Sequence, residues 1–319
     1  MHPETPPQSD RGDRDVGGAL KDGVARLREA AVPSYTLAAE VLLMHATARD
    51  RAWLFAHPEH VLEAEAVGRY FALIERRAAG EPTQYLTGKQ EFWGLEFEVA
   101  PGVLIPRPET EHLMEVALAR LGERGLKIHM DTGAPRETMY VADVGTGSGC
   151  LAVALAYELP HAKIYATDIS AAALAIARRN AEKNGVADRV TFFEADLLTP
   201  FLGADSAARA DALPSRFDVI VSNPPYISHE EKQNLQREVR DHEPSWALFG
   251  GATGLELYAP IVEQASTLLR DRGILVLELG HDADEYVRRL FDRSSGWTNV
   301  SVTMDLAGIP RVLAAQRSR

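Results

Sequence analysis

The chain has 319 residues, of which 45% are hydrophobic and 25% charged, and this balance predicts a globular protein of about two domains. Its net charge of −12 argues against a protein whose main partner is a nucleic-acid backbone, because such proteins carry excess Lys and Arg. The single Cys150 excludes an intrachain disulfide, and the lack of a signal-peptide core or of about 18 consecutive apolar residues predicts a cytoplasmic protein without a membrane span.

The first part of the chain is polar and then helical. Residues 1–18 are expected to be disordered. Three segments then repeat apolar residues at a period near 3.6, namely "ALKDGVARLREA", "YTLAAEVLLMHATA" and "EAEAVGRYFALIERRAAG". Residues 19–85 therefore predict a small all-helical domain. In residues 86–105, "QEFW" and "LEFEV" are separated by Gly94, which predicts a linking β-hairpin.

Residues 106–319 alternate between strand and helix patterns. The predicted strands are "MYVADV", "KIYATDI", "VTFFEAD", "FDVIVSN" and "ILVLEL", with late strands near "VSVTMD" and "RVLAAQ". The predicted helices between them are "HLMEVALARL", "CLAVALAYEL", "AAALAIARRNAEKN", "GLELYAPIVEQASTLLRDRG" and "DADEYVRRLF". Such alternation predicts an α/β domain with a mostly parallel sheet covered by helices on both faces. Two polar inserts, near 126–138 and 203–215, read as surface loops.

The ends of the first three strands carry a glycine-rich turn and two acidic residues. The turn "DVGTGSGC" spaces Gly145, Gly147 and Gly149 as G-x-G-x-G, which departs from the dinucleotide fingerprint and is also compatible with a simple tight turn. Asp168 is placed to accept ribose hydroxyls or to cap the next helix, and Asp196 suits an adenine amino group. Because the carboxyl ends of parallel strands share one edge, we expect a nucleoside site there. The turn has no Lys or Arg, so the ligand's tail should not be a phosphate.

The fourth strand runs into "NPPY", residues 223–226. Prolines fix φ and donate no backbone hydrogen bond, so this turn has carbonyls free to accept from a ligand, although an ordinary turn fits these letters too. Taken in order, "DVGTGSG", "TDIS" and "NPPY" resemble the S-adenosylmethionine-dependent methyltransferases that act on planar amino or amide nitrogens. The resemblance implies a Rossmann-like methyltransferase domain.

Further stretches narrow this resemblance to one family. "GEPTQYLTGKQEFWGLEF", "VLIPRPETE", "VLELG" and "DLAGIPRVLAAQR" resemble the HemK/PrmC family, which methylates the glutamine side-chain amide of peptide chain release factors. The likeness runs from about residue 19 to 317. It implies S-adenosylmethionine as cofactor and the Gly-Gly-Gln motif of class I release factors as substrate. The helical domain of residues 19–85 has no glycine-rich turn and no acidic strand end, so we expect it to recognise the protein substrate and to take no part in the chemistry. No metal, membrane or direct nucleic-acid partner is expected.

The resemblance also implies a set of site residues. Cofactor contacts are expected from Gly145, Thr146, Gly147, Ser148, Gly149, Asp168, Asp196, Leu197 and Asn223, and substrate contacts from Asn223, Pro224, Pro225 and Tyr226. In the catalytic roles, the Asn223 side-chain oxygen and the Pro224 carbonyl accept the two protons of the substrate NH₂. Tyr226 is expected to pack its ring against the planar amide.

Three other interpretations remain open at this stage. An N6-adenine nucleic-acid methyltransferase would use the same chemistry, but it needs a basic recognition region that an acidic chain of this length does not show. A ribosomal-protein glutamine methyltransferase typically lacks the Pro-Glu-Thr-Glu run. A catalytically silent scaffold is disfavoured by the intact motifs. Glu109 and Glu111 have two interpretations, lining the substrate mouth or serving the helix N-terminus, and Trp93 is expected to pack between the hairpin and the catalytic domain.

Overall fold

The computed structural model describes residues 14–123, 138–203 and 213–318. The chain divides into two compact units. One holds the residues up to Gly88 together with Arg237–His242, and the other holds Lys89–Gln236 and the residues from Glu243 onward. Most of the predicted disordered start and most of both predicted polar inserts lie outside the described residues. None of the described helices is long and apolar enough to cross a membrane.

The helices and strands are numbered along the chain. In chain order the helices are α1 (Val16–Glu29), α2 (Tyr35–Thr47), α3 (Arg51–Ala56), α4 (Ala64–Ala78), α5 (Thr83–Thr87), α6 (Glu111–Glu123), α7 (Cys150–Glu158), α8 (Ala171–Lys183), α9 (Arg237–His242), α10 (Ser245–Leu248), α11 (Tyr258–Leu268) and α12 (Asp284–Arg293). The strands are β1 (Lys89–Phe92), β2 (Leu95–Glu98), β3 (Met139–Val144), β4 (Ala162–Asp168), β5 (Val190–Glu194), β6 (Phe217–Ser222), β7 (Leu269–Glu278), β8 (Trp297–Met304) and β9 (Pro310–Arg317). Single 3₁₀ segments cover Pro108–Thr110, Thr199–Phe201 and His229–Asn234.

The first unit is helical, as predicted, and its first helix begins before the expected point. Asp15 accepts the backbone N–H of Gly18 through its side chain and so caps α1, which begins at Val16. The predicted boundary after residue 18 therefore falls inside this helix. Leu27, Leu42 and Tyr70 are fully buried where α1, α2 and α4 meet. The short helices α3 and α5 have too few residues to show a helical period, and the sequence did not predict them.

The second unit is built on a seven-stranded sheet in the order β5-β4-β3-β6-β7-β9-β8. The five strands from β5 to β7 in this order run parallel to one another, and β9 runs antiparallel to β7 and β8. The chain moves outward from β3 to β5 and then crosses to β6 on the other side of β3. Such a reversal opens a crevice at the carboxyl ends of the strands, where ligands of open α/β sheets bind. The predicted Rossmann-like fold class is confirmed.

Successive residues of the central strands face opposite sides of the sheet. Val141 joins the core beneath α6, α7 and α8, whereas Ala142 joins the core beneath α11 and α12. β6 alternates in the same way between Val219 and Ile220. Because both faces are covered by helices, these strands are almost continuously apolar, and that pattern made them easy to predict.

Two predicted elements differ from the structure. The long helix predicted up to Gly273 ends at Leu268, because Leu269 pairs with Phe217 and begins β7. Arg272 then has a φ of 62°, a left-handed conformation that a right-handed helix cannot contain. The predicted hairpin is present as β1 and β2, but Trp93 lies in its two-residue turn with Gly94, at φ values of 55° and 71°, and not in a strand.

Candidate active site

The carboxyl ends of β3, β4, β5 and β6 line one cleft of about 1040 Å³, including space open to solvent. The predicted cofactor residues that line it are Gly145, Thr146, Gly147, Ser148, Asp168, Asp196, Leu197 and Asn223. Pro224 and Pro225 also line the cleft. Gly149 and Tyr226 are not among the residues that line it. The structure therefore brings together, at one edge of the sheet, residues that are up to about eighty positions apart in the chain.

A buried carboxylate holds the glycine-rich turn from below. Asp143 is the last residue but one of β3 and has no exposed surface, and its Oδ2 accepts the Thr146 hydroxyl at 2.6 Å and the Ala152 N–H at 3.1 Å. Burial raises the pKa of Asp143 to about 7, against the opposing effect of these two hydrogen bonds. The turn is thereby tied to both the strand before it and the helix after it.

Helix α8 fixes the other side of the same turn. Gly149 has a φ of +82°, and a Cβ built on it would lie 2.9 Å from the Cβ of Ala177, so only glycine fits there. The fully buried Asn180 donates through Nδ2 to the carbonyls of Ser148 (2.9 Å) and Glu98 (3.0 Å), and its Oδ1 accepts the Glu98 N–H at 2.7 Å. Asn180 thus joins the turn to the hairpin strand β2. The sequence analysis missed this residue.

Asp168 supports the turn from the neighbouring strand. Its Oδ2 accepts the Gly147 N–H at 2.8 Å, and its Oδ1 accepts the Ser170 N–H at 2.9 Å. Burial raises the pKa of Asp168, and the hydrogen bonds act in the opposite direction. Ser170 itself caps α8 by accepting the Ala173 N–H, which leaves Asp168 free of the alternative capping role. Each carboxylate oxygen keeps a second lone pair for a ligand.

The side chain of Asn223 is oriented by a residue that the sequence analysis did not single out. Its Nδ2 donates to the Thr110 hydroxyl oxygen at 3.0 Å. Thr110 is buried at the end of the 3₁₀ segment in "RPETE". With Nδ2 engaged in this way, Oδ1 is the end of the amide that is available to a substrate. Among the described residues, no protein group donates a hydrogen bond to Asn223 Oδ1 or to the Pro224 carbonyl.

Tyr226 is held by two residues of the "VLELG" stretch. Its hydroxyl donates to Glu278 Oε1 at 3.2 Å, and its ring packs so closely on Gly280 that a Cβ there would lie 3.0 Å from three of its atoms. Burial raises the pKa of the Glu278 carboxyl to about 7. Hydrogen bonding from Thr110 and Tyr226 and the charge of Arg311 lower this pKa, and the charge of Glu109 raises it. A second buried carboxylate therefore lies directly behind the "NPPY" turn.

A glycine-containing loop carries the backbone of this turn. The Ile227 N–H donates to the Leu248 carbonyl at 3.0 Å, and the Gly250 N–H donates to the Ile227 carbonyl at 3.1 Å. A Cβ on Gly254 would lie 2.3 Å from the Tyr226 carbonyl oxygen. The glycine cluster "FGGATG" was the signal for this support, because backbones approach each other this closely only where no side chain intervenes.

The segment before α6 is anchored by the buried Glu243. Its Oε2 accepts the Ile105 N–H at 3.1 Å, and its Oε1 pairs with the Arg107 guanidinium at 2.5 Å. Arg107 lines the cleft with its charge already paired. Glu111 accepts the Trp93 N–H at 2.7 Å, while the Trp93 indole donates to Glu158 at 2.9 Å. Glu111, in the first turn of α6, thus holds the turn of the hairpin, and Trp93 ties the hairpin to α6 and α7.

Comparison with known proteins agrees with this architecture. The family models of the PrmC N-terminal domain and of the methyltransferase small domain match residues 18–88 and 123–241. The crystal structure of the hMettl16 catalytic domain is similar in fold alone, with a TM-score of 0.51, 17% identity and coverage of 77% of this chain and 80% of that chain.

Among the described residues, no group of three His, Cys, Asp or Glu side chains is placed to hold a metal ion.

Curated relatives match almost the whole chain. The release factor glutamine methyltransferase of Koribacter versatilis is 42% identical over 300 residues, which cover 94% of this chain and 97% of the relative. That of Moorella thermoacetica is 42% identical over 299 residues, with the same coverage. These matches confirm the resemblance drawn from the motifs. The chain belongs to the family of release factor glutamine methyltransferases.

Proposed function

We propose that the protein transfers a methyl group from S-adenosylmethionine to the side-chain amide nitrogen of the glutamine in the Gly-Gly-Gln motif of class I release factors. The observation that carries this proposal is the orientation of Asn223. Thr110 occupies its Nδ2, so Oδ1 and the neighbouring Pro224 carbonyl form a pair of acceptors beside the cleft. Two acceptors suit an NH₂ group, which has two protons to donate.

The cleft has the chemistry that S-adenosylmethionine requires. The glycines of the turn from Gly145 to Gly149 allow a ligand to approach the backbone closely, and the turn has no cation, which suits a nucleoside without phosphate. Asp168 would hold the ribose hydroxyls and Asp196 the adenine amino group, and both line the cleft. The bound cofactor supplies an electrophilic methyl group on a sulfonium ion. The acidic cleft edge favours that positive charge.

The residues of the site act by orienting the substrate amide and by accepting its two N–H hydrogen bonds. An amide nitrogen is a weak nucleophile because its lone pair is delocalised into the carbonyl. Asn223 Oδ1 and the Pro224 carbonyl each accept one N–H of the substrate, which fixes the nitrogen and stabilises the positive charge that develops on it. Such orientation contributes about 7–11 kcal/mol in well-aligned systems. The methylated nitrogen is strongly acidic, so no side-chain base is required before transfer.

The same two acceptors explain the choice of glutamine over glutamate. A carboxylate would place its oxygen lone pairs against Asn223 Oδ1 and the Pro224 carbonyl, with no proton between them. Sites built around hydrogen-bonded groups reject such analogues by large factors. We therefore expect a release factor whose Gly-Gly-Gln is changed to Gly-Gly-Glu to bind weakly.

Mass spectrometry of the Gly-Gly-Gln peptide tests the proposal directly. An intact release factor is incubated with the protein and S-adenosylmethionine, digested, and examined for one added methyl group on the glutamine. The Asn223→Ala variant should lose turnover while it still binds the cofactor, and DNA should gain no methyl group in a parallel reaction. Methylated adenine with an unmodified release factor would instead support the nucleic-acid alternative.

A further inference from the structure

A half-exposed tryptophan lies at the edge of the cleft and has no role in the reaction described above. Trp246, in the short helix α10, lines the cleft together with Pro224 and Pro225, yet 52% of its surface is exposed. Within the described residues, its indole N–H makes no hydrogen bond to another protein group. Tryptophans that combine a free apolar ring face with a free N–H are typical of binding surfaces, where a partner covers the ring and accepts the proton.

Trp246 is held by the two segments that form the amide-binding part of the cleft. After it, the Leu248 carbonyl accepts the Ile227 N–H at 3.0 Å, which ties α10 to the residue that follows the "NPPY" turn. Before it, the buried Glu243 accepts the Ile105 N–H at 3.1 Å, in the segment that leads to Thr110. Thr110 in turn accepts the Asn223 amide. The position of the indole is therefore fixed relative to the proposed acceptors of the substrate.

The cofactor part of the cleft has no such connection to α10. Among the described residues, no hydrogen bond joins α10 to the turn from Gly145 to Gly149, to Asp168 or to Asp196. Ile169, which is also exposed and lines the cleft, directly follows Asp168 and so lies at the end of the cleft that we assign to the ribose. Trp246 thus belongs with the substrate-binding elements of the cleft.

The length of a glutamine side chain determines what reaches Trp246. Only two methylene groups separate the amide of glutamine from its backbone. When the amide is bound by Asn223 Oδ1 and the Pro224 carbonyl, the main chain of the substrate must therefore lie where the cleft opens to solvent. The two glycines before the glutamine have no Cβ, so an aromatic ring can approach their peptide groups closely. A Cβ at either position would hold the ring away.

We propose that the indole of Trp246 packs flat on the peptide groups of the two glycines that precede the reactive glutamine, and that it thereby selects a Gly-Gly sequence at this place. This inference rests on the proposed function. The packing removes apolar ring surface from water, and the indole N–H can donate to a substrate carbonyl at the edge of the ring. Trp246 does not contact the reacting atoms, so its contribution is to substrate binding.

The test compares two release factors on two forms of the enzyme. Calorimetry in the presence of S-adenosylhomocysteine gives the Kd of an intact release factor and of its Gly-Ala-Gln variant, for the wild type and for Trp246→Leu. The substitution should raise the Kd of the Gly-Gly-Gln factor by about 10- to 30-fold, as for other interface tryptophans. It should raise the Kd of the Gly-Ala-Gln factor by less than about threefold, because the added Cβ already prevents the close contact. Affinity for S-adenosylmethionine should stay within about twofold of the wild type.

Two further variants act as controls. Trp246→Phe keeps a flat ring and should keep the ratio of the two Kd values within about threefold of the wild type. Tyr157→Leu is the matched control, because Tyr157 in α7 is an equally exposed aromatic residue that does not line the cleft. It should leave both Kd values unchanged. If Trp246→Leu does not fold, Trp246→Gln, a polar replacement for a half-exposed side chain, carries the same expectations.

Three results would overturn the inference. The first is a Kd for the Gly-Gly-Gln factor that stays within about twofold of the wild type in Trp246→Leu. The second is an equal rise in Kd for both release factors, which would reduce Trp246 to a structural role in α10. The third is a loss of S-adenosylmethionine affinity as large as the loss of release-factor affinity, which would place the ring on the cofactor. A wild type that does not methylate an intact release factor would instead refute the proposed function, so the two failures are distinguishable.

Discussion

Replacing Asp168 by alanine is expected to weaken both the fold and the cofactor site. The substitution removes the acceptors of the Gly147 and Ser170 N–H groups, at 2.8 and 2.9 Å. Hydrogen bonds to charged groups contribute about 1.5–3 kcal/mol each, and the partial exposure of Asp168 reduces this, so we expect a loss of about 2–4 kcal/mol in unfolding free energy. Removing a charged acceptor from the ribose should also weaken cofactor binding by about 10- to 150-fold.

Urea unfolding with and without cofactor, together with calorimetry, separates the two effects. Asp196→Ala is the matched control, because Asp196 lines the same cleft with an exposed side chain. It should leave the unfolding free energy within about 0.5 kcal/mol of the wild type. Unchanged cofactor affinity in Asp168→Ala would refute the ribose assignment. Unchanged stability would refute the role of Asp168 in holding the glycine-rich turn.

Three further predictions follow from the structure. The Gly280→Ala substitution should lower kcat more than it lowers cofactor affinity, because the added Cβ would lie only 3.0 Å from the Tyr226 ring. Single-turnover kinetics and calorimetry would measure the two losses, and equal losses would contradict this prediction. At saturating cofactor, kcat should rise as pH increases through about 7, because the ionised Glu278 carboxylate accepts the hydroxyl of Tyr226, whose ring is expected to pack on the substrate amide. A pH–rate profile of Glu278→Gln should lack this rise. Phe55→Ser should lower kcat/KM for an intact release factor but not for a Gly-Gly-Gln peptide, because Phe55 is an exposed apolar side chain of the helical unit, proposed here to recognise the substrate. The equally exposed Tyr157→Ser is its control, and equal effects of the two would refute that role.

The sequence was sufficient to predict the features that depend on local pattern. Buried parallel strands are apolar runs, and the residues that follow them lie at one edge of the sheet whatever the details of packing. This is why Asp168, Asp196 and Asn223 could be placed together before the structure was known. The helix end at Leu268 could not be predicted, because the next four residues continue a helical pattern and only pairing with β6 draws them into a strand.

The supporting residues could not be predicted because their partners are remote in the chain. Asn223 and Thr110 are 113 positions apart, and Asn180 and Glu98 are 82 apart. From the sequence alone, a single polar residue in an apolar or turn segment cannot be distinguished from an exposed one, because the backbone group that it binds comes from a distant part of the chain. Glu278 is the clearest example, since nothing in "VLELG" distinguishes a buried carboxylate from an exposed one.

The assignment of α9 to the helical unit has a consequence for how these proteins can be recombined. The chain leaves the second unit after Gln236 and returns to it at Glu243. Between these residues, Glu238 of α9 forms an ion pair with the buried Arg77 of α4. The helical unit is thus encoded by two separate stretches of the gene. In a chimaera that takes only residues 1–88 from a relative, the residue at position 77 would come from the relative, whereas its partner Glu238 would come from this chain. Transplanting a relative's specificity would require both stretches to be moved together.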